Sequence, residues 1–411
     1  GVQTCALPIL YTDNKEVRKR GVTMKRKLWI FIGVFVVLLG GYFLLFREKS
    51  YKVEVEKVNP KIQRLMSTDK QHFLTKHEFH TKETAERKDL LKFFIETRLK
   101  TDGGFLTNYL PDAERKDVAT GHELLSESSG LYLRNLAFDT QGRFDNFYKQ
   151  TKDTFYDGVQ FSYRIDEQGN KYNVNASIDD LRIIRSLIEA GGHFKTDQYD
   201  QEIKKLGKSF METSMKDNIL IDFYDSKSKQ QSSETSLFYI DLITLGYLYK
   251  EFGISADYLQ YHYQLIDDGY ISDDLPLYQT KFNHQTNKYE NNGTLNIIES
   301  LLTIVHLSEV GMAKQTSIDF VRKQVQQGTL FNSYDLNGSP VDKNQSAASY
   351  AIAALIGVAE NDKELYRAAI TVLNNFQIMD SSSPIYGGFG DKVTKQVYSY
   401  NNLMALLAYD F

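Results

Sequence analysis

The stretch TGHELLSESSGLYLRNLA, residues 120–137, decides how the rest of the chain is interpreted. It places Glu123, Ser126 and Glu127 directly before apolar residues at helical spacing. The run Ser-Glu-Ser-Ser-Gly surrounds one carboxylate with small side chains, which fill little of the space beside it. The stretch therefore predicts a helix whose first turn borders an open space, with Glu127 as the acid that faces this space.

Five later stretches repeat this order of features. In each, a Gly- or aromatic-rich extended piece leads through a polar turn and an acidic or polar cluster into an apolar helix. The interval is about 55 residues, and a fixed interval of this kind indicates a repeat architecture. The apolar helices are predicted to start near Glu127, Asp180, Glu234, Glu290, Ser346 and Asn401. Amphipathic second helices are predicted at 84–100, 141–154, 199–215, 256–267, 312–326 and 360–376.

Two helices per repeat, without a strand-rich stretch, favour an all-α fold. We expect six helical hairpins closed into a toroid, an (α/α)6 barrel, preceded by one N-terminal transmembrane helix. The apolar helices suit the inner positions of such a barrel, and their more charged partners suit the outer positions. An open solenoid of helix pairs is the alternative, but its repeats are usually shorter, at roughly 34–47 residues.

A barrel of this kind places the starts of all inner helices around one mouth. The preceding extended pieces add Tyr109, Tyr163, Tyr224, Tyr289, Tyr334 and Tyr400 to the same rim. Carboxylates act as general acids and bases, and aromatic faces stack on sugar rings, so this rim has the chemistry of a saccharide cleft. Repeats one and four lie opposite each other in a ring of six, so Glu127 and Glu290 are expected to face each other as acid and base.

Helix capping is the competing explanation for each of these acids. Asp and Glu near a helix N-terminus contribute about 0.3–1 kcal/mol without any further role. For any single acid capping is the favoured explanation, and for Glu123, Asp179 and Glu234 it stays open beside a role in the site. Beside His122 no second histidine stands at ligand spacing, so a hydrogen bond at the rim is favoured over a metal site. No metal and no cofactor is predicted.

The N-terminal part differs in character from the repeats. Residues 1–23, which include the only cysteine, are expected to be adaptor or upstream sequence, with Met24 as the start. Residues 28–46 are uncharged and apolar, and at about 1.5 Å per residue they span roughly 29 Å, enough to cross a membrane. The segments are therefore a basic cytoplasmic stub (24–27), a signal anchor (28–46), a connector (47–82) and the barrel domain (83–411). A cleaved signal peptide is the alternative, although no Ala-x-Ala-like site follows.

The charge balance limits the partners of the domain beyond the anchor. The whole chain has a formal charge of −4, and residues 1–49 hold more Lys and Arg than Asp and Glu, so the remainder is more acidic still. An acidic domain does not suit binding to nucleic acid or to anionic lipid. It suits a neutral or cationic ligand.

The motifs resemble glycoside hydrolase family 8, whose members are inverting enzymes on an (α/α)6 barrel. Glu127 in SESSG matches the general acid of that family, and Asp180 in ASIDDLRI matches the aspartate that holds the sugar at the cleavage point. Tyr289-Glu290-Asn291 matches the motif whose acid is the base, and Glu234 in ETSLFYIDLI is the reserve base. The resemblance spans residues 85–411. The residues predicted to bind substrate are Tyr109, Tyr163, Asp179, Tyr289, Tyr400 and Asn401.

The resemblance implies an extracellular, membrane-anchored endo-glycosidase that hydrolyses a β-linked polysaccharide. Its relatives in exopolysaccharide operons indicate an exopolysaccharide as substrate and the synthesis or export machinery as a partner. Gly293 replaces an arginine of the base motif, and the only tryptophan is Trp29, in the anchor. These departures keep two alternatives open, namely an inactive barrel that binds polysaccharide during export and, with less support, a polysaccharide lyase.

Overall fold

The computed structural model describes residues 51, 53–73, 79–111, 119 and 121–411. The predicted signal anchor and everything before it lie outside these residues. Within the described ranges, none of the helices combines the length and the apolar character that crossing a bilayer requires. From Val53 onward the described residues belong to one structural unit.

Helices dominate this unit and alternate with short hairpins. In chain order the helices are α1 (Pro60–Leu65), α2 (Lys82–Phe94), α3 (Ser126–Leu136), α4 (Gln141–Phe155), α5 (Ser177–His193), α6 (Asp200–Thr213), α7 (Leu242–Phe252), α8 (Ala256–Asp268), α9 (Ile297–Glu309), α10 (Gln315–Gln327), α11 (Ala347–Ala359), α12 (Lys363–Asn374) and α13 (Ser399–Ala408). The amphipathic helices lie where the sequence predicted them, and this part of the prediction is confirmed.

Short antiparallel hairpins connect the helices. The strands are β1 (Lys100–Thr101), β2 (Gly104–Phe105), β3 (Leu124–Leu125), β4 (Arg164–Ile165), β5 (Met215–Lys216), β6 (Ile219–Leu220), β7 (Glu234–Ser236), β8 (Lys281–Asn283), β9 (Lys288–Glu290), β10 (Thr294–Asn296) and β11 (Ser333–Asp335). Three of the pairings, β3 with β4, β7 with β8 and β10 with β11, join the pieces before successive apolar helices. These pairings hold the starts of neighbouring helices at one level.

Burial separates two classes of helix. In α5, every residue from Ser177 to Gly192 is buried, as its apolar composition predicts for an inner helix. In α6, burial is confined to one stripe that includes Ile203, Leu206 and Phe210, at the spacing of a single helix face. The inner helices are α3, α5, α7, α9, α11 and α13, and the outer helices are α2, α4, α6, α8, α10 and α12.

Most of the inner helices pack against the inner helix that precedes or follows them in the chain. Helix α3 packs against α5 and α13, α11 packs against α9 and α13, and α7 packs against α9. Between α5 and α7 the connection is ionic. Arg185 Nη1 lies 3.0 Å from Asp241 Oδ2 at the start of α7 and 2.8 Å from Glu309 Oε2 at the end of α9. In chain order, two inner helices, α5 and α7, therefore separate α3 from α9.

Two predicted helix starts are wrong. Glu234 lies in β7, where it pairs with Asn283, and Glu290 lies in β9, where it pairs with Lys281. Both acids belong to one three-stranded sheet, β7-β8-β9, instead of to a helix. The other four predicted starts agree with the structure to within about three residues.

The residues that begin these two helices are caps that follow the acids. Asp241 Oδ1 accepts a hydrogen bond from the Thr244 amide at 3.1 Å, and α7 begins after it. Asn296 Oδ1 accepts one from the Ile298 amide at 3.0 Å, and α9 begins after it. A cap satisfies an otherwise unpaired amide, which favours a start at these residues over one at the nearest carboxylate.

Candidate active site

The first turn of α3 is fully enclosed. All residues from Ser126 to Gly130 are buried, and Glu127 is 3 % exposed. Ser128 Oγ lies 2.8 Å from Ser399 Oγ on α13. The expectation that these small residues leave open space is therefore wrong. Their size lets α3 approach its two neighbours closely.

Asp179 lies beside Glu127, on the adjoining face of α5. Ser126 Oγ donates a hydrogen bond of 2.8 Å to Asp179 Oδ2, and Arg182 Nη1 donates one of 3.0 Å to Oδ1. Burial raises the pKa of Asp179 to about 7, Arg182 opposes this rise, and the negative charge of Glu127 adds to it. Glu127 and Asp179 therefore form one electrostatic pair.

Asp180 faces a different neighbour. Its Oδ1 accepts a hydrogen bond of 3.0 Å from the Phe161 amide, and Asn175 donates a second bond to Oδ2. It borders a small space lined also by Leu206 and Phe210 of outer helix α6. Successive helical residues point about 100° apart, so only one of two adjacent acids can face α3. Asp179 is therefore the acid of this pair that lies beside Glu127, and the sugar-holding role of Asp180 stays a prediction.

The predicted bases lie together on the β7-β8-β9 sheet. Lys281 binds Glu234 through its ammonium group, and Asn283 Nδ2 lies 3.4 Å from Glu234 Oε1. Glu290 stands directly opposite Lys281 in the register of β8 and β9, and its side chain is half-buried. Lys281 is therefore ion-paired with Glu234 and stands opposite Glu290 in the strand register.

Two further acids in this region were missed from the sequence. Asp222 is buried and accepts hydrogen bonds from the Ser236 amide at 2.6 Å and from Ser236 Oγ at 2.8 Å. Burial raises the pKa of Asp222 to about 7. Glu299, in the first turn of α9, has its pKa raised to about 7 by burial, with a smaller rise from Asp222. Alignment of the repeats on their caps would have found Glu299, because it is the third residue of its helix, as Asp179 is of α5.

Three of the predicted substrate-binding residues make hydrogen bonds to other parts of the chain. Tyr163 lies nearest the acid pair, since its carbonyl accepts a hydrogen bond of 3.2 Å from the Ser126 amide. The hydroxyl of Tyr289 donates to the Leu265 carbonyl at 2.8 Å. Asn401 Oδ1 accepts a bond of 2.7 Å from Ser346 Oγ at the start of α11.

The remaining rim residues have structural partners. Tyr109 is half-buried, and its carbonyl lies 3.3 Å from His122 Nε2, which is the rim contact expected for this histidine. Tyr400 is buried in α13. The guanidinium of Arg164 binds Glu123 Oε1, at 3.0 Å from Nε, so Glu123 is held in an ion pair instead of in a cap.

A cavity of about 690 Å³ lies elsewhere, towards the C-terminal ends of the inner helices. Its lining includes Arg134, Arg185, Glu309, Val358 and Leu407. It is separate from the helix starts that carry Glu127 and Asp179.

The paired helices are consistent with the fold of α/α-barrel glycosidases. The solved structure of a novel alpha-amylase from Clostridium perfringens is 30% identical, covers 79% of this chain and 97% of its own, and superposes with a TM-score of 0.72. The chain belongs to the family of that glycoside hydrolase. No family model matches the sequence.

Two further comparisons extend this result. YdaJ of Bacillus subtilis (strain 168), which carries the name of a lipoprotein, is 25% identical over 339 residues, covering 81% of this chain and 90% of YdaJ. Endoglucanase Cel10 from Klebsiella pneumoniae, a family 8 glycosyl hydrolase, has a TM-score of 0.52 at 12% identity and covers 69% of this chain and 97% of its own. The resemblance to family 8 is therefore confirmed at the level of the fold.

Proposed function

We propose that the protein is an extracellular, membrane-anchored endo-glycosidase that inverts anomeric configuration, with Glu127 as general acid. The pairing of Glu127 with Asp179 carries this proposal. Burial, and to a smaller extent the charge of Glu127, raises the pKa of Asp179, so the carboxyl beside Glu127 holds a proton more readily than a solvated one does. A general acid requires such a proton, and buried carboxyl pairs are a common means of keeping one. In this proposal the six helical hairpins close into a toroid.

The base in the proposal is Glu290. An inverting enzyme holds its two carboxyl groups roughly 6.5–9.5 Å apart, with a water between them. Glu290 precedes α9, which two inner helices separate from α3, and its side chain retains contact with solvent. Glu299 is the second candidate because it stands in the first turn of α9. Burial raises its pKa to about 7, and this preference for the protonated form suits a base less well.

The substrate in the proposal is a β-linked polysaccharide, such as an exopolysaccharide outside the cell. The fold shared with an endoglucanase supports a β-linked glucan or a related polymer. The name of YdaJ as a lipoprotein supports a location at the membrane surface, where the synthesis or export machinery would be a neighbour. The amylase relative favours an α-glucan as the second candidate substrate.

Cleavage of defined polymers tests the proposal. The full-length protein and Glu127→Gln are incubated with amylose, a mixed-linkage β-glucan and the exopolysaccharide of the host. We expect wild-type protein to release reducing ends, and Glu127→Gln to lower this rate by at least about a hundredfold at unchanged Tm. Nuclear magnetic resonance of the fresh product gives its anomeric form and hence the stereochemistry. Equal rates for the variant and the wild type would overturn the role of Glu127.

Binding without cleavage would favour the inactive barrel. The same polymers are therefore also measured for affinity, for example by retardation in a polymer-containing gel. If one polymer retards the protein and none of the polymers gains reducing ends, the protein binds polysaccharide without cleaving it. A product that absorbs in the ultraviolet would identify a lyase.

A further inference from the structure

Helices α3 and α5 touch at Gly130 and Arg182. A Cβ atom placed on Gly130 would lie 3.3 Å from Arg182 Cδ, 3.4 Å from Cγ and 3.5 Å from Cβ. Glycine is unfavourable inside a helix, so a glycine there needs a packing reason. The reason is that the aliphatic stem of Arg182 lies directly on the backbone of α3.

This contact directs the guanidinium of Arg182 towards Asp179. The side chain of Arg182 is 8% exposed, and its Nη1 donates to Asp179 Oδ1 at 3.0 Å. The other oxygen of Asp179 accepts from Ser126 Oγ at 2.8 Å, and Ser126 adjoins Glu127 in the chain. Asp179 is therefore held from both sides, by its own helix and by α3.

We propose that Arg182 is a positioning residue for the reaction: seated on Gly130, it orients the Asp179 carboxylate beside Glu127 and thereby controls proton delivery by this pair. The inference rests on the proposed function, because it takes Glu127 as the general acid. Arg182 itself contacts neither substrate nor reacting atoms in this scheme.

The charges around Asp179 give the direction of the effect. The charges that act on its titration are Arg182 on its own helix and Glu127 on α3. Asp180 is the adjacent acid, and its titration is in turn influenced by Asp179. Removal of the arginine leaves burial and Glu127 unopposed, and both favour the protonated form of Asp179. The pair then keeps its last proton to higher pH.

The pH profile of kcat tests this inference. For Arg182→Gln, measured on the polymer that wild-type protein cleaves best among the three above, we expect kcat to fall about tenfold and the alkaline limb to move up by about one pH unit or more. Arg182→Lys keeps the charge and should return the limb most of the way to the wild-type position. A lower kcat with an unmoved limb in both variants would overturn the proposal.

A thermodynamic cycle with Asp179→Asn provides a measurement that does not need activity. Tm is recorded from pH 4 to 9 for wild type, each single variant and the double variant. We expect Arg182→Gln to change the pH dependence of Tm only where Asp179 is present. If Arg182→Gln changes the pH dependence of Tm equally in protein that already carries Asp179→Asn, the proposal is overturned. Because this cycle needs no cleavage, it distinguishes failure of the inference from failure of the proposed function.

The glycine provides a graded version of the same test. Gly130→Ala forces the stem of Arg182 to move by a few tenths of an ångström, so it should shift the limb in the same direction by a smaller amount. Gly142→Ala in α4 is the matched control, because a Cβ there meets nothing within 4 Å. Identical pH profiles for Gly130→Ala and wild type would show that the seat of Arg182 is not needed.

Discussion

The starts of α3 and α5 differ from the starts of α7 and α9 in how acids are used. Within the described residues, the N-caps of the first two helices, Leu125 and Ala176, make no side-chain capping bond, and acids follow within the first turn. In α7 and α9 the caps are Asp241 and Asn296, each bonded to a helix amide. Where a separate residue caps the helix, Glu234 and Glu290 lie in the preceding hairpin, and Glu299 stands in the first turn of α9. Where no side chain caps, the acids lie buried between inner helices.

The largest expected effect compares the two candidate bases. We expect Glu290→Gln to lower kcat by at least about a hundredfold, because it removes the group proposed to activate water. Glu299→Gln should lower kcat less than about tenfold, since its raised pKa disfavours the ionised form that a base needs. Initial rates and Tm are measured for both variants.

If Glu299→Gln lowers kcat more than Glu290→Gln does, the general base is Glu299, at the start of α9, instead of Glu290 on the sheet. Both regions would then use the first turn of an inner helix for chemistry, and the contrast between them would disappear. Glu234→Gln, which removes the neighbouring partner of Lys281, is the matched control on the same sheet.

An effect of intermediate size is expected when substitutions of two adjacent acids of α5, Asp179 and Asp180, are compared. Asp179→Asn should lower kcat by about tenfold or more with a small change in Tm, because its carboxylate lies beside Glu127. Asp180→Asn should leave kcat within about threefold and reduce the free energy of unfolding by about 1–3 kcal/mol, because it weakens bonds to Phe161 and Asn175. Kinetics and urea unfolding distinguish the two. A larger kinetic loss for Asp180→Asn would restore the role predicted from the sequence.

The smallest expected effect concerns two buried histidines near the sheet. Burial lowers the pKa of His262 and of His284 from 6.5 to about 4. The unfolded chain therefore binds more protons between about pH 4 and 6.5, so these histidines destabilise the fold as pH falls through that range. The buried acids, whose pKa values are raised to about 7, act in the opposite direction.

Because the two sets of groups oppose each other, a variant is needed to isolate the histidines. Tm of wild type and of His284→Gln is compared at pH 7 and pH 4.5. We expect the variant to lose less stability than wild type on acidification. An equal or greater loss would show that His284 is not a source of acid sensitivity.

The sequence predicted the repeat and the outer helices because both depend on local apolar periodicity. It placed the starts of α7 and α9 wrongly because β7 and β9 are defined by pairing with β8, a contact that local pattern does not record. In α5 the choice between Asp179 and Asp180 depended on the rotation of the helix. The burial of α5 on all sides removes the polar face that would have indicated this rotation.

Asp222 illustrates a different limit of the sequence. It lies in an apolar run, ILIDFYD, and its partner Ser236 stands in another strand. Only the hairpin geometry brings them together. The small residues around Glu127 mark the start of α3, as the sequence predicts. They are small because α5 and α13 pack closely against them, and not because they border open space.

Arg185 gives the packing of α5 against α7 and α9 a distinct temperature response. It joins α5 to these two helices through ion pairs to Asp241 and Glu309. Dehydration of charged groups becomes less costly on heating, whereas apolar burial gains little further strength. These ion pairs are therefore expected to hold the three helices together up to the temperature at which the surrounding apolar core itself melts.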